Sequence, residues 1–298
     1  MRRLFCTLGL LVSALAPLPA AAQPAPAHTT RSLSEFVQVA PDAYAFRYLG
    51  HVSMFIVGSD GVAVIDPIGQ ENAHAPSVLK QTIASVTDLP VTYLVYSHWG
   101  ADHGQGGVVF KDTATFVSQR NAAPKIVEAN DPTSPPPDVT FDDQLTLDLG
   151  GRTVELHWTA LTPDDDHLYV YDGASKVLML VDLARTRALP FQDLPGSPPD
   201  KMVDLLGRID QQVDFDTFVW GHGAGPTLVG SRDDFRQHRQ YYADLISAIR
   251  EARAAGQADN SDGMLAAVRD ALAGKYGTWA NFPNGLGANI SGAIRWGV

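Results

Sequence analysis

Ser97-His98-Trp99-Gly100-Ala101-Asp102-His103 stands directly after an apolar run, Thr92–Tyr96 (TYLVY), and directly before Gly104-Gln105-Gly106-Gly107. The run lacks the apolar–polar alternation of a half-exposed strand, so it reads as a strand buried on both faces. The glycines that follow permit a tight turn. Two histidines and an aspartate on such a loop can aim at one point, and they form a donor set that a hard or borderline metal ion accepts.

Further along, polar residues again close apolar strands. Asp182 ends Leu178-Met179-Leu180-Val181, and His222 follows Val219-Trp220-Gly221 and precedes Gly223. Upstream, Phe36–Val39, Tyr44–Tyr48, Val52–Val57 and Val62–Ile65 read as strands, the last two joined by a hairpin turn at Gly58-Ser59-Asp60-Gly61. Asn72–Val86 has helical apolar spacing. Leu145–Leu149, Val154–Trp158, Leu168–Tyr171, Val177–Val181 and Thr217–Trp220 continue the strands, while Arg232–Ala255 and Gly263–Lys275 read as helices. Two proline-bearing stretches, Asp131–Asp138 and Leu189–Asp200, read as long loops of the kind that carry function. Both are expected to border the metal, where Trp99 and Phe191 would make a partly apolar substrate wall. No break in composition divides residues 36–298, so one domain of two packed sheets with helices outside is expected.

With 298 residues, 45% hydrophobic and 18% charged, the chain can bury a large core and has none of the composition of a disordered or fibrous protein. Its start has a different purpose. Arg2 and Arg3 precede the apolar run Leu4–Leu18, and Ala20-Ala21-Ala22 before Gln23 supplies a small-residue cleavage site. Residues 1–22 therefore read as a signal peptide, 23–35 as a flexible lead-in, and the protein as exported to the periplasm or secreted. The run is too short, and too broken by Pro17 and Pro19, for a membrane span. Cleavage would remove Cys6, the only cysteine, and the loss of Arg2 and Arg3 would move the formal charge from −11 to −13. An acidic chain without a basic tract is a poor partner for nucleic acid or anionic membranes, which leaves a small-molecule substrate as the expected partner. Oligomeric state cannot be read from the sequence.

The order of these residues resembles the metallo-β-lactamase superfamily over about Phe36 to His222. An early strand ends in Ile65-Asp66, the Ser97–His103 loop follows, an acidic residue closes a later strand, and a late Gly-His-Gly precedes a long helix and a short Tyr276-Gly277-Thr278-Trp279 tail. The resemblance implies a four-layer αββα sandwich, an α/β (α+β) fold with the metal at one sheet edge. It makes His98, Asp102, His103, Asp182 and His222 the candidate ligands and Asp66 a support behind them. The family activity implied is hydrolysis by a metal-activated water whose pKa falls toward about 7.

The departures shape the metal expectation. The family loop reads His-x-His-x-Asp-His, and Gly100 stands where its middle histidine belongs. Another family histidine falls at or near Leu161, in Leu161-Thr162-Pro163. The family's three-histidine place would retain only His98, while Asp102, His103 and His222 would keep the second place, with Asp182 bridging both. A structural zinc is worth roughly 10–16 kcal/mol over about four ligands, roughly 3 kcal/mol each. Losing two ligands weakens the first place by about 6 kcal/mol, on the order of ten-thousand-fold. One ion per chain is thus expected, zinc, iron or manganese, with His98 and Asp102 acting in catalysis on an ester, amide or thioester-type bond. The alternative is a non-catalytic binding or assembly protein of the periplasm that kept the scaffold. His167, after the Asp164–Asp166 run, is expected at the surface, with a substitute ligand as the other reading. His51, His74 and His238 show no partner pattern.

Overall fold

A computed structural model describes residues 33–70, 72–163, 165–222 and 228–298. The expected signal peptide, nearly all of the lead-in, Asp164 and Gly223 lie outside the described residues. Among the described residues no helix is long and apolar enough to cross a membrane.

Strands β1 (Ser34–Ala40), β2 (Ala43–Tyr48), β3 (His51–Val57) and β4 (Val62–Ile65) form an antiparallel meander. Helix α1 (Ala75–Val86) then crosses over to β5 (Val91–Tyr96). The four-residue helix α2 (Ala101–Gly104) lies before β6 (Thr115–Gln119), and α3 (Ala122–Ala129) before β7 (Val139–Phe141). β4, β5, β6 and β7 run parallel and complete a seven-stranded sheet in chain order. Such crossovers suit continuous apolar runs: every residue of β4 (VAVI) is buried.

The second sheet starts with β8 (Gln144–Asp148), β9 (Thr153–Trp158), β10 (Leu168–Asp172) and β11 (Val177–Leu180), each antiparallel to the one before. Helix α4 (Pro199–Gln212) crosses to β12 (Thr217–Val219), which pairs parallel with β11, and β13 (Val229–Ser231) closes this six-stranded sheet. The C-terminal helices are α5 (Arg232–Ala254), α6 (Asp262–Tyr276) and α7 (Phe282–Arg295). At the start of α5, Ser231 Oγ accepts the Asp234 N–H and Asp234 Oδ2 accepts the Ser231 N–H, a reciprocal cap worth about 1 kcal/mol.

The layers are those expected. Met54, Ile65 and Val117 of the first sheet meet Leu156, Val170 and Met179 of the second in a central core. α1 and α3 cover the outer face of the first sheet through Leu79, Ile83 and Ile126. α4 to α7 cover the second through Leu206, Phe235, Leu245 and Leu286. Full burial of each such side chain is worth about 1.5–3 kcal/mol.

Several elements escape sequence reading. α4 begins inside the stretch expected to be loop, with Pro199 in its first turn. The short segment Tyr276–Trp279 closes α6, and beyond it stands a fourteen-residue helix, α7, that the sequence reading did not name. That helix fixes a wall of the site: Asn289 Nδ2 donates to Pro190 O and Trp296 Nε1 to Leu194 O. A Cβ on Gly292 would stand 2.1 Å from Asp193 O, so only glycine allows this approach.

Two cross-links join the sheets at the rim where the parallel strands end. The Val52 N–H donates to Gly221 O at 2.8 Å, beside an antiparallel bridge between His51 and His222. The Leu168 N–H donates to Ser97 O at 2.9 Å.

Candidate metal centre

β4 ends in Asp66, whose left-handed backbone (φ 62°) turns the chain sharply at a fully buried carboxylate. Aspartate tolerates that conformation better than most residues, and such strained strand ends gather at functional sites. Asp66 accepts the Ser97 N–H at 2.8 Å and the Ser97 hydroxyl at 2.7 Å, and Ser97 Oγ lies 3.0 Å from His98 Nδ1. Its Oδ2 is also 3.5 Å from His103 Nδ1. One buried carboxylate thus sets the loop's start and orients both of its imidazoles. Burial pushes its own carboxyl up, against the pull of His103 and His98.

α2 brings Asp102 and His103 to the rim in one turn, its Gly104 N–H returning to Gly100 O at 2.7 Å. At Gly100 two side chains close over the backbone: a Cβ there would stand 2.6 Å from His98 Nε2 and 2.9 Å from Asp102 Oδ1, so both would have to shift to admit one. Opposite, Asp182 repeats the left-handed turn of Asp66 (φ 63°) just beyond β11. Its Oδ1 is 2.7 Å from His222 Nε2 and 3.4 Å from His103 Nε2, and its Oδ2 is 3.4 Å from His98 Nε2. Gly221 is equally constrained, since a Cβ would stand 2.5 Å from Val181 Cγ1 and 2.9 Å from His103 Cε1.

His98, Asp102, His103, Asp182 and His222, all named from sequence, therefore converge although 124 positions separate the first from the last. Two further histidines join them, contrary to expectation. His51 opens β3 and is 5% exposed, with Nε2 at 3.3 Å from Asp102 Oδ2 and its ring 4.6 Å from that of His222. His167, expected at the surface, is 2% exposed and stacks on His98 with ring centres 4.1 Å apart. Its loop is stitched to the first: Asp166 Oδ2 accepts the Trp99 N–H, and the Leu168 N–H donates to Ser97 O. The side chains fall into two groups of candidate donors, His51, Asp102, His103 and His222 on one side, and His98, His167 and Asp182 on the other. His98 is thus not the only imidazole on its side, since His167 stands beside it. Leu161 is buried in the helical core beneath the second sheet, and no imidazole is needed there.

Charge follows this layout. Burial works against an ionised Asp182, yet the surrounding His103, His222 and His98 hold its carboxyl well below the usual range. Burial likewise opposes charge on His98, but the hydrogen bond and charge of Asp182, with Asp66 and Asp166 behind, lift it to about 9. His167, buried against that cation, is pushed down to about 3. Asp102 is held low by His51 and His103, which outweigh its burial. The rim therefore favours positive charge at its centre.

A cavity of about 500 Å³ opens above, lined by His98, Asp102, Asp182 and His222 on its floor and by Trp99, Phe191 and Leu194 on its sides. Of the two proline-bearing loops, Leu189–Asp200 borders this cavity as expected. Asp131–Asp138 does not: it lines a separate hollow with Val108 and Lys111 and braces α2 from behind through Ser134. Arg185, 6% exposed, reaches the cavity with its guanidinium 5.7 Å from the Phe191 ring centre, and its Nε has no hydrogen-bond partner among the described residues. Of the remaining histidines, His157 pairs with Glu155 on β9, His74 is exposed before α1, and His238 is fully buried in the helical layer.

A family model described as the metallo-beta-lactamase superfamily matches residues 47–222, more than half of the chain. No curated protein matches significantly. Among solved structures, a metallo-beta-lactamase from Pontibacter korlensis is similar with a TM-score of 0.57 and 18% identity, over 70% of this chain and 99% of that one. A stereoselective inverting sec-alkylsulfatase from Pseudomonas sp. is similar with a TM-score of 0.66 and 14% identity. The match covers 88% of this chain but 50% of the sulfatase. At these identities the likeness is one of fold.

Proposed function

The chain belongs to the metallo-beta-lactamase superfamily, and from that premise we propose that it is a metal-dependent hydrolase of an ester, amide or thioester-type bond. The observation that carries this reading is the meeting of two histidine–aspartate groups at Asp182, on the floor of a cavity large enough for a small organic substrate. The donors suit a divalent cation: Asp182 Oδ1 is buried, lacks a hydrogen bond of proper direction, and is crowded by imidazole nitrogens. Asp102, His103, His222 and Asp182 are the residues that would hold the ion, with zinc the best match to this nitrogen and oxygen set and iron or manganese acceptable to it. Bound there, the ion supplies Lewis-acid activation of water and of the scissile bond.

The chain's own groups divide the remaining work. Asp102 turns Oδ2 toward His51, His103 and His222, which leaves Oδ1 on the side of His98. Kept ionised by those neighbours, Asp102 takes one proton of the attacking water and returns it to the leaving group. His98, the other residue expected in catalysis, has its Nε2 beside Asp182 and is better suited to hold an ion than to move a proton. Arg185 selects the substrate. A buried guanidinium whose Nε has no hydrogen-bond partner among the described residues is costly, so the preferred substrate has an anionic group beside an apolar portion that Trp99, Phe191 and Leu194 can cover. The non-catalytic alternative drew its support from missing histidines, and His51 and His167 remove most of that support.

Protein loaded with zinc, iron or manganese is to be assayed against anionic esters, thioesters, lactams and sulfate esters. Chelator-sensitive hydrolysis of at least one class, lost in His222→Ala, is expected. A fully loaded protein inert toward every class would overturn the hydrolase reading.

A further inference from the structure

We propose that the centre holds two ions on a ligand set of its own: His51, Asp102, His103 and His222 take one, His98, His167 and Asp182 take the other, and Asp182 lies between them. The proposal deepens the metallo-hydrolase reading and rests on it for the kind of group bound. It departs from the superfamily pattern at two positions, His51 and His167, which no motif in the sequence marks.

Distances carry the first half. A tetrahedral ion bound at 2.0–2.1 Å holds its donors about 3.3 Å apart. In the group of four, Asp102 Oδ2 is 3.3 Å from His51 Nε2, 3.5 Å from His103 Nε2 and 3.5 Å from His222 Nε2. His103 Nε2 and His222 Nε2 are 3.1 Å apart. These separations are the edges of such a tetrahedron, with the ligand atoms already gathered. His51 is held there by the backbone, through the Val52–Gly221 hydrogen bond and the bridge to His222.

The second half follows from what fills the space left by Gly100. His98 Nε2 and Asp102 Oδ1 already occupy the position that a side chain at residue 100 would need. His167 approaches from the other sheet, fixed next to His98 by the Leu168–Ser97 and Asp166–Trp99 hydrogen bonds. It offers a second imidazole to an ion whose remaining protein donor is Asp182 Oδ2, 3.4 Å from His98 Nε2. Three protein donors with open positions is the arrangement of a catalytic ion, and four is that of a tightly held one. The balance of imidazoles is thus reversed relative to the family pattern. Three now serve the place that includes Asp102, and two serve the place that includes His98.

The test is metal binding by the full chain, with zinc and cobalt(II) as probes, read as ions per chain and as two dissociation constants. Two ions are expected, the group of four binding roughly 100-fold tighter, as one extra ligand implies. His167→Ala should bind one ion and leave the tight constant unchanged. His51→Ala should weaken the tight constant roughly 100-fold and leave the weaker one in place. Each variant controls for the folding of the other, because each must still load the opposite place; His167→Gln and His51→Gln replace any variant that loads neither. One ion in the wild type, or unchanged constants in both variants, would overturn the proposal. Two ions with the expected variant losses but no hydrolysis would uphold the ligand set while removing the hydrolase reading, and chelator-sensitive hydrolysis with one ion would do the reverse.

Discussion

The two flanks of the centre are built by different means. On one flank, seven consecutive residues, Ser97–His103, deliver His98, Asp102 and His103 from a single strand end and one helical turn. On the other, His51, His167, Asp182 and His222 come from four separated positions, each at a strand boundary. The contiguous flank takes its form from local turns and one anchor, Asp66. The dispersed flank exists only when both sheets have packed, because bonds such as Val52–Gly221 and Leu168–Ser97 set its register. Loss of tertiary packing should therefore dissolve the second flank before the first.

The strongest way to break this comparison is Asp182→Ala, since Asp182 is the residue that touches both groups. The ion at His98 and His167 should bind roughly 100-fold more weakly, as the loss of about 3 kcal/mol per ligand implies, and the other ion more weakly by a smaller factor, measured by competition with a chromophoric chelator. An effect confined to one ion would mean that the flanks act independently. Asp66→Asn probes the contiguous flank through its anchor. Removing a support behind the ligands typically costs roughly 10–100-fold in metal affinity, and here the loss should reach both ions, because Asp66 orients His98 through Ser97 and His103 directly. Unchanged affinity would show that the loop keeps its shape without the strand-end carboxylate.

The smallest effect sharpens the role of carboxylates by looking at a histidine that has none. His238 is as buried as His103, but burial and the nearby Arg185 push it down to about 3, and neither ring nitrogen has a hydrogen bond among the described residues. Below its unfolded value of about 6.5, the unfolded chain takes up a proton that the folded one refuses. Stability should thus fall as the pH drops, by about 2 kcal/mol between pH 6.5 and 5 from this group. His238→Phe should remove that part of the slope in urea unfolding at several pH values. An unaltered slope would mean that His238 becomes protonated without unfolding.

The same division explains how much could be read from sequence. The layered fold was legible because buried strands such as Val62–Ile65 and Thr92–Tyr96 leave unbroken apolar runs, and α5 carries both a cap and helical periodicity. Five of the converging residues were legible because Asp182 and His222 close such runs as visibly as the loop does. His51 was not, and His167 only as a second reading, since each stands at the first position of a strand or just before one, where no spacing distinguishes a ligand from a surface residue. Their partners are 51 and 69 positions away, in Asp102 and His98. α7 was hidden for a different reason. Pro283, Gly285, Gly287 and Gly292 oppose helix formation by propensity, and the helix forms because Phe282, Leu286, Ile290 and Ala293 are buried against the other helices.

Gly100 sets how closely two of the converging side chains approach. Restoring an imidazole at that position by a single substitution would bring its Cβ within 3 Å of the side-chain ends of His98 and Asp102, so both would have to shift to admit it. The absence of a Cβ lets His98 Nε2 and Asp102 Oδ1 lean over the backbone between them.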